Sequence, residues 1–283
     1  MGKEVAYIKC NDAEWHARVD LAAAYRACDN WGLNEGICNH LTLAVPGEPD
    51  KFLVIPYGLL WSEVTASNLL TVRMGTGGKW EVLQGKGQPE TTAMAIHGAI
   101  HRARPTDAAA VVHTHQPWTT ALCCLKDPTL RMVHQNCLRF HNDIAYDTTF
   151  NGLVTDANEG DRISQKLGSK KVLMHSNHGV ILVGRTIAEA IDDLYYLERA
   201  AEVVVKALST GQELQMVSDK AAQSLKADFD RTNPAAAASH LDALKRVMKK
   251  SQKDADFDDD SGHVQVLHSL AGGNSGSGPA FVV

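Results

Sequence analysis

Apolar and polar positions along this chain fall into short blocks whose period changes often. Between residues 14 and 31, Leu21, Ala24, Tyr25 and Cys28 recur on one face and Gly32 follows as a stop, which predicts an amphipathic helix. Apolar runs at 41–45 and 52–55 predict two strands, joined as a hairpin through Pro46-Gly47-Glu48-Pro49-Asp50 and closed by Pro56-Tyr57-Gly58. Another strand is expected at 80–83, after a glycine-rich turn. Ala93, Ile96, His97 and Ile100 form the inner stripe of a helix over 91–103. Arg104-Pro105 ends it, because the residue before proline avoids helical angles.

The second half continues in the same irregular manner. The pattern predicts helices at 118–125 and 156–167, and strands at 132–137, 144–146, 172–174 and 180–183, the last two separated by the turn Ser176-Asn177-His178-Gly179. Thr186 and Glu189 have capping-box spacing and open a helix with Ala190, Leu194, Leu197, Ala201, Val204 and Leu208 on one side, ended by Gly211. Helices alternating with mostly hairpin-joined strands predict a layered α/β domain with a largely antiparallel sheet.

Beyond residue 215 the character changes. Residues 220–231 and 235–250 predict two weakly amphipathic helices, broken at Asn233-Pro234 and packing on the main domain or a neighbouring subunit. Residues 254–260 are acidic and 272–278 are rich in glycine and serine, the composition of a solvated, mobile tail. The expected division is a main domain over 1–215, a helical extension over 216–250 and a tail over 251–283.

Composition narrows the function classes. A chain of 283 residues, 44% hydrophobic and 22% charged, supports one large domain or one domain with an extension. A formal net charge of -5 without a polybasic run gives no reason to expect nucleic acid or an anionic membrane surface as a partner. Residues 1–11 lack the apolar core of a secretory signal, and no apolar run approaches the roughly 20 residues that span a bilayer. The six cysteines show no CxxC spacing and are read as reduced thiols of a cytoplasmic protein.

Candidate chemistry centres on Val111-Val112-His113-Thr114-His115, a buried strand running out to an edge before Gln116-Pro117. Alternation along a strand points His113 and His115 to the same face. Two adjacent imidazoles can take two positions on one metal ion, and a catalytic site needs a third protein ligand and an open position. His178, in a tight turn whose Gly179 allows close backbone approach, is the third candidate. The glycine-rich loop over 85–90 leads into a helix N-terminus suited to an anion. No Gly-Lys-Ser/Thr follows, so it is not a P-loop.

Residues 90–115, with Ile96-His97-Gly98-Ala99-Ile100-His101-Arg102-Ala103-Arg104-Pro105 leading to Val111-Val112-His113-Thr114-His115, resemble the class II aldolase/adducin family. Residues 32–39, Asn177-His178-Gly179 and residues 186–201 support the match in order, over roughly residues 13–210. The resemblance implies a three-layer α/β/α domain around a mostly antiparallel central sheet. It also implies one divalent metal, usually zinc, on His113, His115 and His178, and a homotetramer with sites between subunits. The family includes fuculose-phosphate-type aldolases, ribulose-phosphate 4-epimerases, decarboxylases and the adducin head.

Two departures bear on function. The family's aldolases carry a glutamate four residues before the histidine aligned with His97, where this chain has Ala93. Glu90 is the nearest carboxylate and the candidate proton carrier, with helix capping as its alternative role; His97 and His101, one turn apart, are further candidates. The family's sugar-phosphate pocket uses a Gly-Asn turn, a Thr-Gly pair and a Ser-Ser pair; here Cys38-Asn39 and Tyr57-Gly58 replace the first two, and Gln88-Pro89 stands near the third. Asn39, Tyr57 and Gly58 are the substrate-binding candidates. Their donors suit a carboxylate or another polar group better than a compact phosphate. Tyr57, Trp61 and Trp118 are candidates either for the wall of a larger pocket or for core packing. The expected activity is a metal-dependent lyase, of aldolase or decarboxylase type, acting on a small oxygenated or keto-acid substrate. The alternatives are a sugar-phosphate 4-epimerase and a non-catalytic adducin-like binding module.

Overall fold

A computed structural model describes residues 8–75, 80–152, 154, 157–259 and 264–267. The elements of the first half are β1 (Ile8–Asn11), α1 (Asp12–Asn30), β2 (His40–Val45), β3 (Glu48–Val54), β4 (Leu70–Met74), β5 (Trp80–Gln84), α2 (Thr91–Ala103) and β6 (Ala110–Thr114). Those of the second are α3 (Pro117–Cys123), α4 (Gln135–Leu138), β7 (Ile144–Asp147), α5 (Ala157–Leu167), β8 (Val172–His175), β9 (Gly179–Gly184), α6 (Ile187–Leu208), α7 (Asp219–Met248) and β10 (Val264–Leu267). Eight strands form one sheet in the order β5-β4-β3-β2-β6-β9-β8-β7. Every neighbouring pair is antiparallel except β7 with β8. β1 and β10 form a separate parallel pair.

Strand alternation divides the core into two layers. Val112 and Leu182 pack with Leu21 and Tyr25 of α1 and Leu194 and Leu197 of α6. Their strand neighbours Val111 and Ile181 pack with Ile96 and Ile100 of α2 and Ile163 and Leu167 of α5. The central strands are thus apolar on both faces, which gives a three-layer α/β/α domain. Gly160 brings α5 close to α2, where an added Cβ would lie 2.2 Å from the Ala95 carbonyl oxygen. Among the described residues no helix is long and apolar enough to cross a membrane.

The structure departs from the sequence pattern in several places, beginning with β1 and β10, which the pattern did not predict. The hairpin turn is shorter than expected, with β3 taking in Glu48 to Lys51. β4 lies outside the expected strands, although its alternating Leu70, Val72 and Met74 lead directly into the glycine-rich turn. Residues 132–137 form no strand; their end belongs to the single helical turn α4, which His134 caps by accepting the Asn136 N–H. The two helices expected over 220–250 are one, with Pro234 inside α7. Pro234 removes one backbone hydrogen bond, but Ala222, Ala237, Leu241 and Met248 bury a stripe on both sides of it, and that packing holds the helix together.

Part of the acidic stretch is held against the domain, with Asp254 buried and Asp256 exposed but paired. Arg26 of α1 is buried and donates to the Val64 carbonyl at 2.8 Å, the Lys253 carbonyl at 3.2 Å and Asp256 Oδ1 at 2.8 Å. Phe257 is buried, and its carbonyl accepts the Ala66 N–H at 2.8 Å. A buried guanidinium needs acceptors, and the aspartates meet that need. The glycine- and serine-rich stretch over 272–278 lies outside the described residues.

Candidate metal centre

β6 lies at the middle of the sheet, with His113 paired to His40 on β2 and to Ile181 on β9. His115 follows the strand end, and its N–H donates to Asn39 Oδ1 at 3.2 Å. On the other side the chain turns through Asn177, at φ 59°, and enters β9 at Gly179. A Cβ at Gly179 would lie 2.5 Å from the Thr114 carbonyl oxygen and 2.8 Å from the His115 ring. Only glycine lets this turn come close enough to bring His178 beside the other two.

The three rings converge. Centroids lie 5.0 Å apart for His113 and His115, and 4.8 Å for His178 with each of them. One ligand nitrogen from each ring lies within 4.8 Å of the others. Nitrogens on one tetrahedral zinc lie about 3.4 Å apart, given bonds of about 2.0–2.1 Å, so a small inward rotation brings them to a common ion. His113 Nδ1–H donates to the Val180 carbonyl at 3.0 Å, which leaves Nε2 bare. His115 Nδ1 is bonded to the Glu35 carboxylate, the outer partner that orients a metal-binding imidazole. His115 Nε2 and His178 Nδ1 are buried without a hydrogen-bond partner. Burial, then the neighbouring imidazoles, pull His178 down to about 4; burial holds His113 well below its usual range. Neutral rings with unpartnered nitrogens are the donor set a divalent metal takes.

A second histidine cluster backs the first. His40 lies with its ring centroid 5.1 Å from that of His113, and His40 Nδ1 is 2.9 Å from His97 Nε2. Thr42 Oγ1 sits 2.8 Å from His97 Nδ1 and 2.7 Å from His101 Nε2. All four residues are buried. Burial lowers His40 to about 3 and His101 to about 4, and takes His97 well down.

The other expected site residues are spread around this centre. Glu90 is the N-cap residue of α2 but makes no side-chain cap; its Oε1 instead accepts the Thr92 hydroxyl at 2.9 Å. Thr92 Oγ1 in turn lies 3.4 Å from His40 Nε2. Asn39 is buried and its side-chain oxygen is committed to His115. Tyr57 is exposed and tied by its backbone N–H to Gln88, with Gly58 next to it at φ 100°. Trp61 is a core residue, edge-on to Tyr25 at 5.0 Å, and Trp118 lies under Lys206. Phe150, half exposed, stands 6.3 Å from the His178 ring.

Glu35, His40, Thr42 and Thr92 also belong to these clusters, and the expected site residues do not include them. The alternation of His40 and Thr42 on a strand was a usable signal. Glu35 offered none, being one acid in a polar turn.

A model of the class II aldolase and adducin N-terminal domain matches residues 19–205. The chain belongs to this family. A Caulobacter vibrioides protein named "Putative aldolase class 2 protein" is 36% identical over 76% of this chain and 81% of its own length. Alpha-adducin of Mus musculus is 36% identical over 68% of the chain, a match that covers 26% of that longer protein. Among solved structures, an aldolase II superfamily protein from Pseudomonas syringae superposes with a TM-score of 0.79 at 32% identity, covering 88% of this chain and 97% of that one. L-fuculose 1-phosphate aldolase of Glaciozyma antarctica PI12 shares the fold, with a TM-score of 0.73 at 24% identity over 84% and 91% of the two chains.

Proposed function

We propose that this class II aldolase family member is a divalent-metal-dependent carbon–carbon lyase, of aldolase or decarboxylase type, with zinc on His113, His115 and His178. The observation that carries this reading is the convergence of three imidazoles, two of them with buried, unpartnered ring nitrogens. When bound, the ion supplies positive charge that stabilises the enolate or enediolate oxygen formed as the carbon–carbon bond breaks. The chain's own residues do the rest. Glu35 and the Val180 carbonyl orient two of the rings. Asn39 fixes the end of β6 at His115. Glu90 takes the substrate proton and returns it to the product. Tyr57 and the Gly58 backbone meet the polar end of a small oxygenated or keto-acid substrate.

Elemental analysis of the purified protein is expected to find about one equivalent of zinc per chain, lost in His113→Ala and His178→Ala. Cleavage or decarboxylation of a small-molecule panel should disappear with it. A protein that takes up no divalent metal refutes the reading.

A second reading, an adducin-like binding module without turnover, is favoured by one observation. Buried Ala93 stands where the family's aldolases have their glutamate. A detected turnover left unchanged by both Glu90→Gln and His113→Ala would not arise at this site, and that would favour the binding module over the first reading. We further take the protein to be a cytoplasmic homo-oligomer, a tetramer as in the family's enzymes. Sedimentation as a monomer at micromolar concentration would contradict that.

A further inference from the structure

The hydrogen bonds of the second histidine cluster form a chain whose proton positions can be worked out from one end. His101 Nδ1 lies 2.7 Å from the Ala108 carbonyl oxygen. A carbonyl only accepts, so this nitrogen carries the ring's proton. The ring is neutral, because burial holds it at about 4, and its Nε2 is therefore bare. Thr42 Oγ1, 2.7 Å from that nitrogen, must donate to it. A hydroxyl has one proton, so the same oxygen accepts from His97 Nδ1 at 2.8 Å. His97 is neutral as well, and its bare Nε2 accepts from His40 Nδ1 at 2.9 Å. One carbonyl thus sets three tautomers, and the chain ends with a bare Nε2 on His40.

That nitrogen faces the Thr92 hydroxyl at 3.4 Å, while the same hydroxyl donates to Glu90 Oε1 at 2.9 Å. Thr92 stands between two acceptors and has one proton for them. Were His40 the Nε2–H tautomer, two protons would face the same oxygen and the choice would vanish.

We propose that Thr92 is a hydroxyl switch between Glu90 and His40, a deepening that rests on the reading of Glu90 as the proton carrier. With Glu90 ionised, Thr92 donates to the carboxylate. When Glu90 takes a substrate proton on Oε1, the pair of the bond that held that proton stays on the substrate and drives cleavage of the carbon–carbon bond, whose own pair becomes the enolate. The new Glu90 O–H then donates to Thr92 Oγ1, and the Thr92 O–H rotates to His40 Nε2. The Thr92–Glu90 hydrogen bond reverses direction, and no covalent bond of Thr92 breaks. Return of the proton to product reverses the rotation; His40 Nε2 has a donor only while Glu90 is protonated, and Glu90 has one only while it is ionised. Thr92 and His40 are positioning residues; they hold Glu90 without touching the reacting atoms.

The full-length protein, labelled with 15N at histidine, tests this without turnover. His40, His97 and His101 are expected as Nδ1–H tautomers. Glu90→Gln mimics the protonated acid and should move the His40 Nε2 resonance upfield, as a newly hydrogen-bonded nitrogen does. Thr92→Val on top of Glu90→Gln should remove that shift. An Nε2–H tautomer at His40, or no shift in Glu90→Gln, overturns the switch. On a turned-over substrate, Thr92→Val should lower kcat about tenfold at unchanged KM, and Thr92→Ser should restore it; unchanged kcat in Thr92→Val overturns the switch too. Failure of the lyase reading shows separately, as absence of metal.

Discussion

A methyl group at residue 179 would press on both the Thr114 carbonyl and the His115 ring, so this one position sets how closely two distant segments approach. Gly179→Ala should destabilise the metal-free protein by about 1–3 kcal/mol in urea unfolding, the usual cost of overpacking. It should also weaken zinc binding in a chelator competition, because His178 moves with the turn. Glu35 is a different case. Its carboxylate is largely exposed, at 63%, and its contact at the site is with His115 Nδ1. Glu35→Gln should leave folding intact and lower zinc affinity by about 10–100-fold, the scale of losing an outer partner of a metal-bound imidazole. Both histidines of the His-x-His pair could be read as metal ligands from spacing. The tautomers could not, since they depend on a carbonyl at Val180 and an acid at Glu35, far off in the chain.

At the scale of elements, local pattern was a good guide where one segment forms its own contacts. α2 begins and ends where its stripe and Arg104-Pro105 predict. α6 opens on Thr186, whose hydroxyl accepts the Glu189 N–H at 3.1 Å. The pattern failed where a partner decides. Pro234 reads as a break, yet the stripe buried on either side carries α7 across it. The aspartates at 254 and 256 read as part of a free tail until Arg26 is seen beneath them, burying the first and pairing with both. Phe257 anchors that segment, so Phe257→Ala should cost about 3–5 kcal/mol in chemical denaturation, the range for emptying a large aromatic site. A loss under about 1 kcal/mol would mean the segment is held by its ion pairs instead.

Across the whole molecule, the sheet brings three otherwise separate histidine sources together. β2 supplies His40, the end of β6 supplies His113 and His115, and the turn before β9 supplies His178. Burying so many imidazoles gives stability a definite pH dependence. His40 is held at about 3 and His101 at about 4, against 6.5 when unperturbed. Below pH 6.5 the unfolded chain takes up protons that the folded rings refuse, so stability falls as pH drops toward 4. Above about pH 6.5 this loss is absent. Thermal unfolding of the metal-free protein should shift down by at least about 5 °C between pH 7 and pH 4.5. A flat profile would mean that these rings are already protonated in the folded state.

The sequence by itself determined the layered α/β class, most helices and strands, and the residues able to bind a metal. Those follow from periodicity and side-chain chemistry, which are local properties. Only the tertiary structure decided the strand order, the convergence of His178 with His113 and His115, the contacts of Glu35 and Thr92, and the anchoring of the acidic stretch at Asp254 and Phe257. Each of these depends on contacts between segments tens to hundreds of residues apart, and no local pattern encodes which segments will meet.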